Sequence, residues 1–302
     1  MTERFRVGTR RSRLARVQTA WVLARLARAA PGVRFEPVPV DTSGDRDRST
    51  GSSPDFTDTI DRALLRGDVD LAVHSAKDLP VVLDRDLDIL ACPRRADPRD
   101  CLVAAPEHRA SPLPQGARVG SSSLRRRAQL LRWRPDLCVV EVRGNVDTRI
   151  DLVRSGAVDA AVLAVAGLSR LGRTGEMGRI LPPATFLPAP AQGALAVVVR
   201  KGDSPLASVV RRIDHSATHA CVTAERTFAA ALGGDCRLPL GALATVRERT
   251  VSLVGEVLTP DGRRSLRRHR RGPASDADGV GSRLGTAMLD QGALDLMSPS
   301  RP

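Results

Sequence analysis

The segment LLRGDVDLAVHSAKDL, beginning at Leu64, returns in altered form from Leu152 as LVRSGAVDAAVLAVAGLSRL. Each copy reads as a helix end, a Gly turn, a Val-Asp pair and an apolar run with the length and branching of a strand buried on both faces. A chain that carries this unit twice is constrained to two similar α/β halves, with a cleft between their strand ends. In the first copy the strand breaks into a turn that presents Lys77 beside Asp78. Strand ends of this kind are where open α/β sheets place their chemistry.

At 302 residues the chain has room for two or three domains. Its formal charge of +13 points to an anionic partner. Lys77 and Lys201 are the only lysines among 47 basic residues, which leaves 45 arginines. So lopsided a ratio reflects coding bias as well as function, and position must decide which arginines matter. With no Tyr, two Trp and five Phe, the chain lacks the stacking platforms of single-strand binders, and no nucleic acid partner is expected. The basic start is followed by no apolar signal region, and the run from Ala160 to Leu168 falls far short of a membrane span. A soluble cytoplasmic protein with no membrane partner is expected. The five cysteines, at 92, 101, 138, 221 and 236, are odd in number and form no CxxC, so neither a disulfide framework nor a metal site is expected.

Read in order, a strand over Arg6 to Gly8 leads to Arg10 and Arg11 in a turn, and Ser12 is placed to cap a helix with Leu14, Val17, Trp21 and Ala24 on its apolar face. That turn offers helix amides and guanidinium groups to a carboxylate or phosphate. Asp41 to Pro54 is polar and aperiodic and reads as a mobile loop, after which Phe56, Ile60 and Leu64 mark a helix face. His74 reads as a hydrogen-bonded structural histidine. In the second half, Ser121 to Ser123 enters a helix that carries Arg125, Arg126 and Arg127, so that hydroxyls, amides and guanidiniums converge in the chain's strongest anion site. Arg143 and Arg149 follow the strand Leu137 to Val142, and Arg170 follows the strand Ala160 to Ala166. Leu195 to Val199 reads as a strand returning to the first half. From Asp214 the character changes to a small α+β region, with a helix over Thr218 to Leu232 and a hairpin turning at Pro260-Asp261-Gly262. The expected architecture is α/β domain 1 (1–95 and 195–213), α/β domain 2 (96–194) and α+β domain 3 (214–302). Cys236, flanked by Asp235 and Arg237 in a Gly turn, reads either as a buried small hydrophobe or as a reactive attachment point.

The ordered blocks GTRRSRLA, LAVHSAKDLP, DPRD, GSSSLRRRAQL, RGNVDTR, LAVAGLSRLG, PAPAQGA, VTAERTF and GGDCRLPLGA closely resemble the hydroxymethylbilane synthase, or porphobilinogen deaminase, family over essentially the whole chain. The resemblance implies two periplasmic-binding-protein-like α/β domains and a third that holds a dipyrromethane cofactor by a thioether to Cys236. It implies Asp78 as the catalytic carboxylate. Lys77, Ser123, Arg125, Arg126 and Arg143 are then cofactor-binding, and Arg10, Ser12, Arg149 and Arg170 substrate-binding. The implied reaction joins four porphobilinogen units head to tail on the dipyrromethane primer, with loss of ammonia, and water releases the linear tetrapyrrole. Homology suggests a monomer. Three features depart from the family pattern: Asp41 to Phe56 is short and lysine-free, and Asp147 and Asp235 stand where Gly is usual. They keep open a divergent relative that makes a shorter or different pyrrole product, and a non-catalytic polycarboxylate-binding module.

Overall fold

The structure is a computed structural model of the chain and describes residues 3–41, 57–105, 108, 112–202, 204–234 and 238–297. By compactness the chain divides into two units, Met1–Ala96 with Ala194–His219, and Asp97–Gly193 with Ala220–Pro302.

The first unit begins β1 (Glu3–Arg10), α1 (Arg13–Ala29), β2 (Val33–Val40), α2 (Asp58–Leu65), β3 (Leu71–Ser75) and β4 (Leu87–Ala91). The second continues β5 (Asp100–Ala104), β6 (Arg118–Gly120), α3 (Leu124–Trp133), β7 (Cys138–Val140), α4 (Val146–Arg154), β8 (Ala160–Ala164) and α5 (Val165–Arg170). The chain then returns to the first unit as β9 (Leu195–Arg200) and α6 (Ser204–Val210), and α7 (Ser216–Ala231) carries it across the boundary. β10 (Leu240–Arg247), β11 (Thr250–Leu258), β12 (Ser265–Pro273), α8 (Ala277–Leu289) and α9 (Ala293–Met297) complete the second unit.

The two α/β sheets share one plan, as the repeated segment requires. In the first, the order is β2-β1-β3-β9-β4, with β1, β2 and β3 parallel and β9 antiparallel to β3. In the second, reading the same way, the order is β7-β6-β8-β5, with β6, β7 and β8 parallel and β5 antiparallel to β8. The turn of the repeat is matched as well. Gly67 after α2 and Gly156 after α4 both adopt left-handed backbone, at φ 77° and 70°, where a Cβ would be strained. The third sheet is an antiparallel meander, β10-β11-β12. The fold is therefore mixed α/β with a small α+β part, and no helix among the described residues is long and apolar enough to cross a membrane.

Helix α1 starts where Ser12 accepts a hydrogen bond from the Ala15 amide at 3.2 Å, and stops one residue before Pro31-Gly32. The face that it buries differs from the one the apolar spacing suggests. Ala15, Gln18, Thr19, Val22 and Leu26 are buried, and Val22 and Leu26 join Val7, Leu71 and Val197 in the core. Leu14, Val17 and Trp21 are half-buried and Ala24 is exposed. The buried Thr19 hydroxyl reaches Thr9 at 2.7 Å, so a polar pair selects the rotation of the helix, which apolar periodicity cannot register. A second correction concerns the repeat. The strand read over Ala160 to Ala166 ends at Ala164, and Arg170 stands in the last turn of α5.

Candidate functional site

In the first unit, β1 and β3 are parallel neighbours in the register Gly8 to Ala72, so their C-terminal ends lie side by side. Arg10 closes β1, and Ser12 caps α1 just beyond it. A short 3-10 turn, Ala76–Asp78, follows β3, with Ala76 fully buried and its amide bonded to the Ala194 carbonyl at 3.1 Å. This anchor leaves Lys77 half-buried and Asp78 exposed. His74, one residue before the strand end, is buried, and its nearest carboxylate is Asp61, with Nε2 3.7 Å from Oδ1. Burial, reinforced by the Arg10 charge, pushes His74 down to about 4. The histidine is neutral, and among the described residues its Nε2 has no hydrogen-bond partner.

In the second unit the ends of β6, β7 and β8 form a matching row, because the three strands are parallel. Ser123 caps α3, accepting from the Arg126 amide at 3.4 Å. Gly144, at φ 106°, turns the chain into Asn145, which caps α4 by accepting from the Thr148 amide at 2.9 Å. Arg149 then reaches the Ser122 hydroxyl and the Gly144 carbonyl at 3.3 and 3.1 Å. Arg170 donates to the Gly193 carbonyl at 2.7 Å. Burial pushes Arg149 down to about 10, helped by the charge of Arg126, and burial alone does the same to Arg170. Among the described residues no carboxylate pairs with either. Each of these guanidiniums is desolvated and bonded to neutral oxygens, a state in which a carboxylate is a favourable partner.

The expected convergence of Arg125, Arg126 and Arg127 does not occur. Arg125 and Arg126 turn inward and share the fully buried Asp100 at 2.9 and 2.7 Å, with further bonds to the Leu187 and Val162 carbonyls. Arg127 turns the other way, to the Val139 carbonyl of β7. A helix spreads successive side chains about 100° apart, so three adjacent arginines cannot face one point. Arg143 pairs with Glu141 in solvent at 2.9 Å.

Sequence reasoning missed the shell that holds this arrangement. Gln192 donates to Asp100 and to the Pro98 carbonyl at 3.0 and 2.7 Å. Its neighbour Ala191 takes a left-handed φ of 60° and gives its amide to the buried Glu225 at 2.5 Å, which also accepts from the Ala244 amide of β10. The PAPAQGA and VTAERTF segments contain these residues, but no spacing rule connects them. Asp147, which stands where Gly is usual in the family pattern, is paired with Arg173 at 3.0 Å in the first turn of α4, where a helix favours an acid.

Asp235, Cys236 and Arg237, together with residues 42–56, lie outside the described residues. Of the four described cysteines, Cys92, Cys101 and Cys221 are buried and Cys138 is exposed. Burial, with Asp100 beside it, pushes the Cys101 thiol up to about 12, which makes it inert. No group of residues with metal-ligating spacing occurs among the described residues.

Two sheets of one plan, with capped helices and charged side chains beyond their parallel strands, define an α/β protein. The family model for the porphobilinogen deaminase dipyromethane cofactor binding domain matches residues 5–208, and that for the porphobilinogen deaminase C-terminal domain matches residues 219–290. Porphobilinogen deaminase from a Roseiflexus species is 45% identical over 99% of this chain and all of its own length. The protein of the same name from Thermus thermophilus is 43% identical over 98% of each chain. Among solved structures, the periplasmic VFT2 domain of Bordetella pertussis BvgS aligns over 70% of this chain and 86% of its own, at 20% identity and a TM-score of 0.42. The chain belongs to the porphobilinogen deaminase family, whose members are transferases of tetrapyrrole biosynthesis with a dipyrromethane cofactor.

Proposed function

We propose that this chain performs the ordinary hydroxymethylbilane synthase reaction, with Asp78 as its catalytic carboxylate and Cys236 as the attachment point of the cofactor. The observation that carries this reading is the pair of desolvated arginines, Arg149 of α4 and Arg170 at the end of α5, without a carboxylate partner among the described residues. They fit a cofactor and a growing chain that bear acetate and propionate side chains. The bound dipyrromethane supplies the nucleophilic pyrrole terminus on which porphobilinogen units are joined.

Each residue has a task that its surroundings allow. Arg149 and Arg170 bind carboxylates and hold the pyrrole chain in register. Ser12 and Ser123 keep hydroxyl hydrogens available while their oxygens cap helices. Arg10 and Lys77 bring positive charge to the strand ends of the first unit. Asp78, anchored by the buried Ala76 but itself exposed, bonds pyrrole N–H groups and offsets the positive charge that develops on the substrate as ammonia leaves. Arg125 and Arg126, neutralised in part by Asp100, contribute the field behind this edge, whereas Arg143 lies in solvent and binds the periphery. Residues 214–302 act as the cofactor-carrying domain, and the protein works as a cytoplasmic monomer.

An intact mass spectrum tests the reading. Purified protein should carry a mass increment of two linked pyrroles, and porphobilinogen should add a ladder of one to four more. Cys236→Ser should give protein without covalent pyrrole. Pyrrole retained by that variant would assign the attachment to another thiol, and no increment in the parent protein would favour the binding module.

A further inference from the structure

A concave surface of about 510 Å³ lies within the first unit, at the C-terminal end of α1. It is lined by Arg25 and Arg28 of α1, Arg94 after β4, Arg212 after α6, and Asp214. About 20 Å of helix separates Arg25 from Ser12, so the bowl is distinct from the strand-end cluster. The negative groups at its rim are already engaged. The carbonyl of Ala29, part of the negative end of the helix dipole, accepts from Arg212 at 2.9 Å. Asp214, the one carboxylate in the lining, is engaged by the Cys92 amide at 2.7 Å and by His219 at 2.9 Å.

Arg25 is held rigid. Its guanidinium carbon sits 3.2 Å from the centre of the Trp21 ring, and it donates to the Trp21 carbonyl at 3.3 Å. This is the consequence of the rotation of α1 that leaves Trp21 half out of the core. Burial and the neighbouring Arg28 both disfavour the Arg25 charge. Several surface arginines pair with carboxylates, as in Arg62 with Asp58, Arg66 with Asp68 and Arg134 with Asp136, while others such as Arg127 bond a neutral oxygen. Among the described residues none of the four arginines of the bowl is so paired. Four guanidiniums gathered in a concavity repel one another unless an anion lies between them.

We propose that this bowl binds a small oxyanion with several negative charges, of phosphate or carboxylate type, at a site separate from the one that binds pyrrole carboxylates. Planar guanidinium forks suit both chemistries. The test is calorimetric titration of the intact protein with pyrophosphate and, separately, with citrate, at fixed ionic strength of about 0.15 M to suppress general screening. The doubly substituted protein Arg94→Gln/Arg212→Gln removes two solvent-exposed arginines and should fold with an unchanged denaturation midpoint. Its affinity for the preferred anion should fall about tenfold or more, while porphobilinogen turnover without added anion stays at the parent rate. Arg149→Gln, which alters the strand-end cluster, should leave the titration intact and so separates this proposal from the assignment of that cluster. Tighter binding of pyrophosphate would make the ligand a phosphate, and tighter binding of citrate a polycarboxylate. Equal affinity in the parent and the double variant, or no saturable binding, would overturn the site.

Discussion

Asp78 and Asp100 show how differently two aspartates can be placed in one chain. Asp78 stands exposed on a turn held from below by Ala76, so Asp78→Asn should leave the denaturation midpoint unchanged while nearly abolishing ammonia release from porphobilinogen. Undiminished release would remove Asp78 from the mechanism. Asp100 is fully buried between two guanidiniums, and Asp100→Asn leaves both charges without their counterion. Breaking a buried pair in this way costs about 3 to 5 kcal/mol, so chemical denaturation should show a large loss of stability. His74 makes a third residue-scale case. Its folded value near 4 lies below the unfolded value of about 6.5, so the unfolded chain takes up the proton first as the pH falls. Its contribution is complete above about 6.5 and is lost towards 4, a penalty of about 3 kcal/mol over the window. Urea midpoints measured at about pH 5 and about pH 7.5 should differ more in the parent protein than in His74→Gln. The place of Ser12 at the start of α1 was legible because turn and cap have a local grammar. The inward turn of Arg125 and Arg126 was not, since it depends on Asp100, whose buried position is a tertiary fact that no local pattern reports.

Among the elements, α3 is fixed by several others. Arg132 on it pairs with the buried Glu256 of β11 at 2.6 Å, and Gln129 both donates to the Leu187 carbonyl and accepts from the Leu187 amide. The β11–β12 turn presses on the same helix. A Cβ at Gly262, where φ is 74°, would stand 2.1 Å from the Ala128 carbonyl oxygen and 2.9 Å from the Arg132 amide. Gly262→Ala should therefore lower the thermal midpoint, with a cost of about 1 to 3 kcal/mol or more, because the obstacle is backbone and cannot rotate away. A thermal scan that matches the parent protein would show that the turn can withdraw. The hairpin itself was legible from Pro260-Asp261-Gly262, and so was the cap Ser12. The register by which the turn reaches α3 was not, for glycine marks a need for room without naming what fills it. The rotation of α1 escaped for a related reason: Gln18 and Thr19 are polar in the sequence but face inward, where Thr19 meets Thr9.

For the whole molecule, the repeated segment was the most informative stretch, because it predicted two sheets of one plan, and both have it down to the matched left-handed glycines. What it could not convey is where the antiparallel strand of each sheet comes from. In the first sheet β9 lies between β3 and β4, and no other strand is hydrogen-bonded to β4 there. Yet β4 ends at Ala91, and β9 begins only at Leu195, after the parallel strands and helices of the second unit have been made. A nascent chain leaving the ribosome must therefore keep β3 and β4 as open edges through the synthesis of some hundred residues. Fragments stopped before Leu195 should be cut readily by protease within Leu87–Ala91, whereas the full chain resists there. The order of synthesis thus makes the first-encoded sheet one of the last to close, and a premature stop anywhere before that strand yields a chain whose edges invite aggregation.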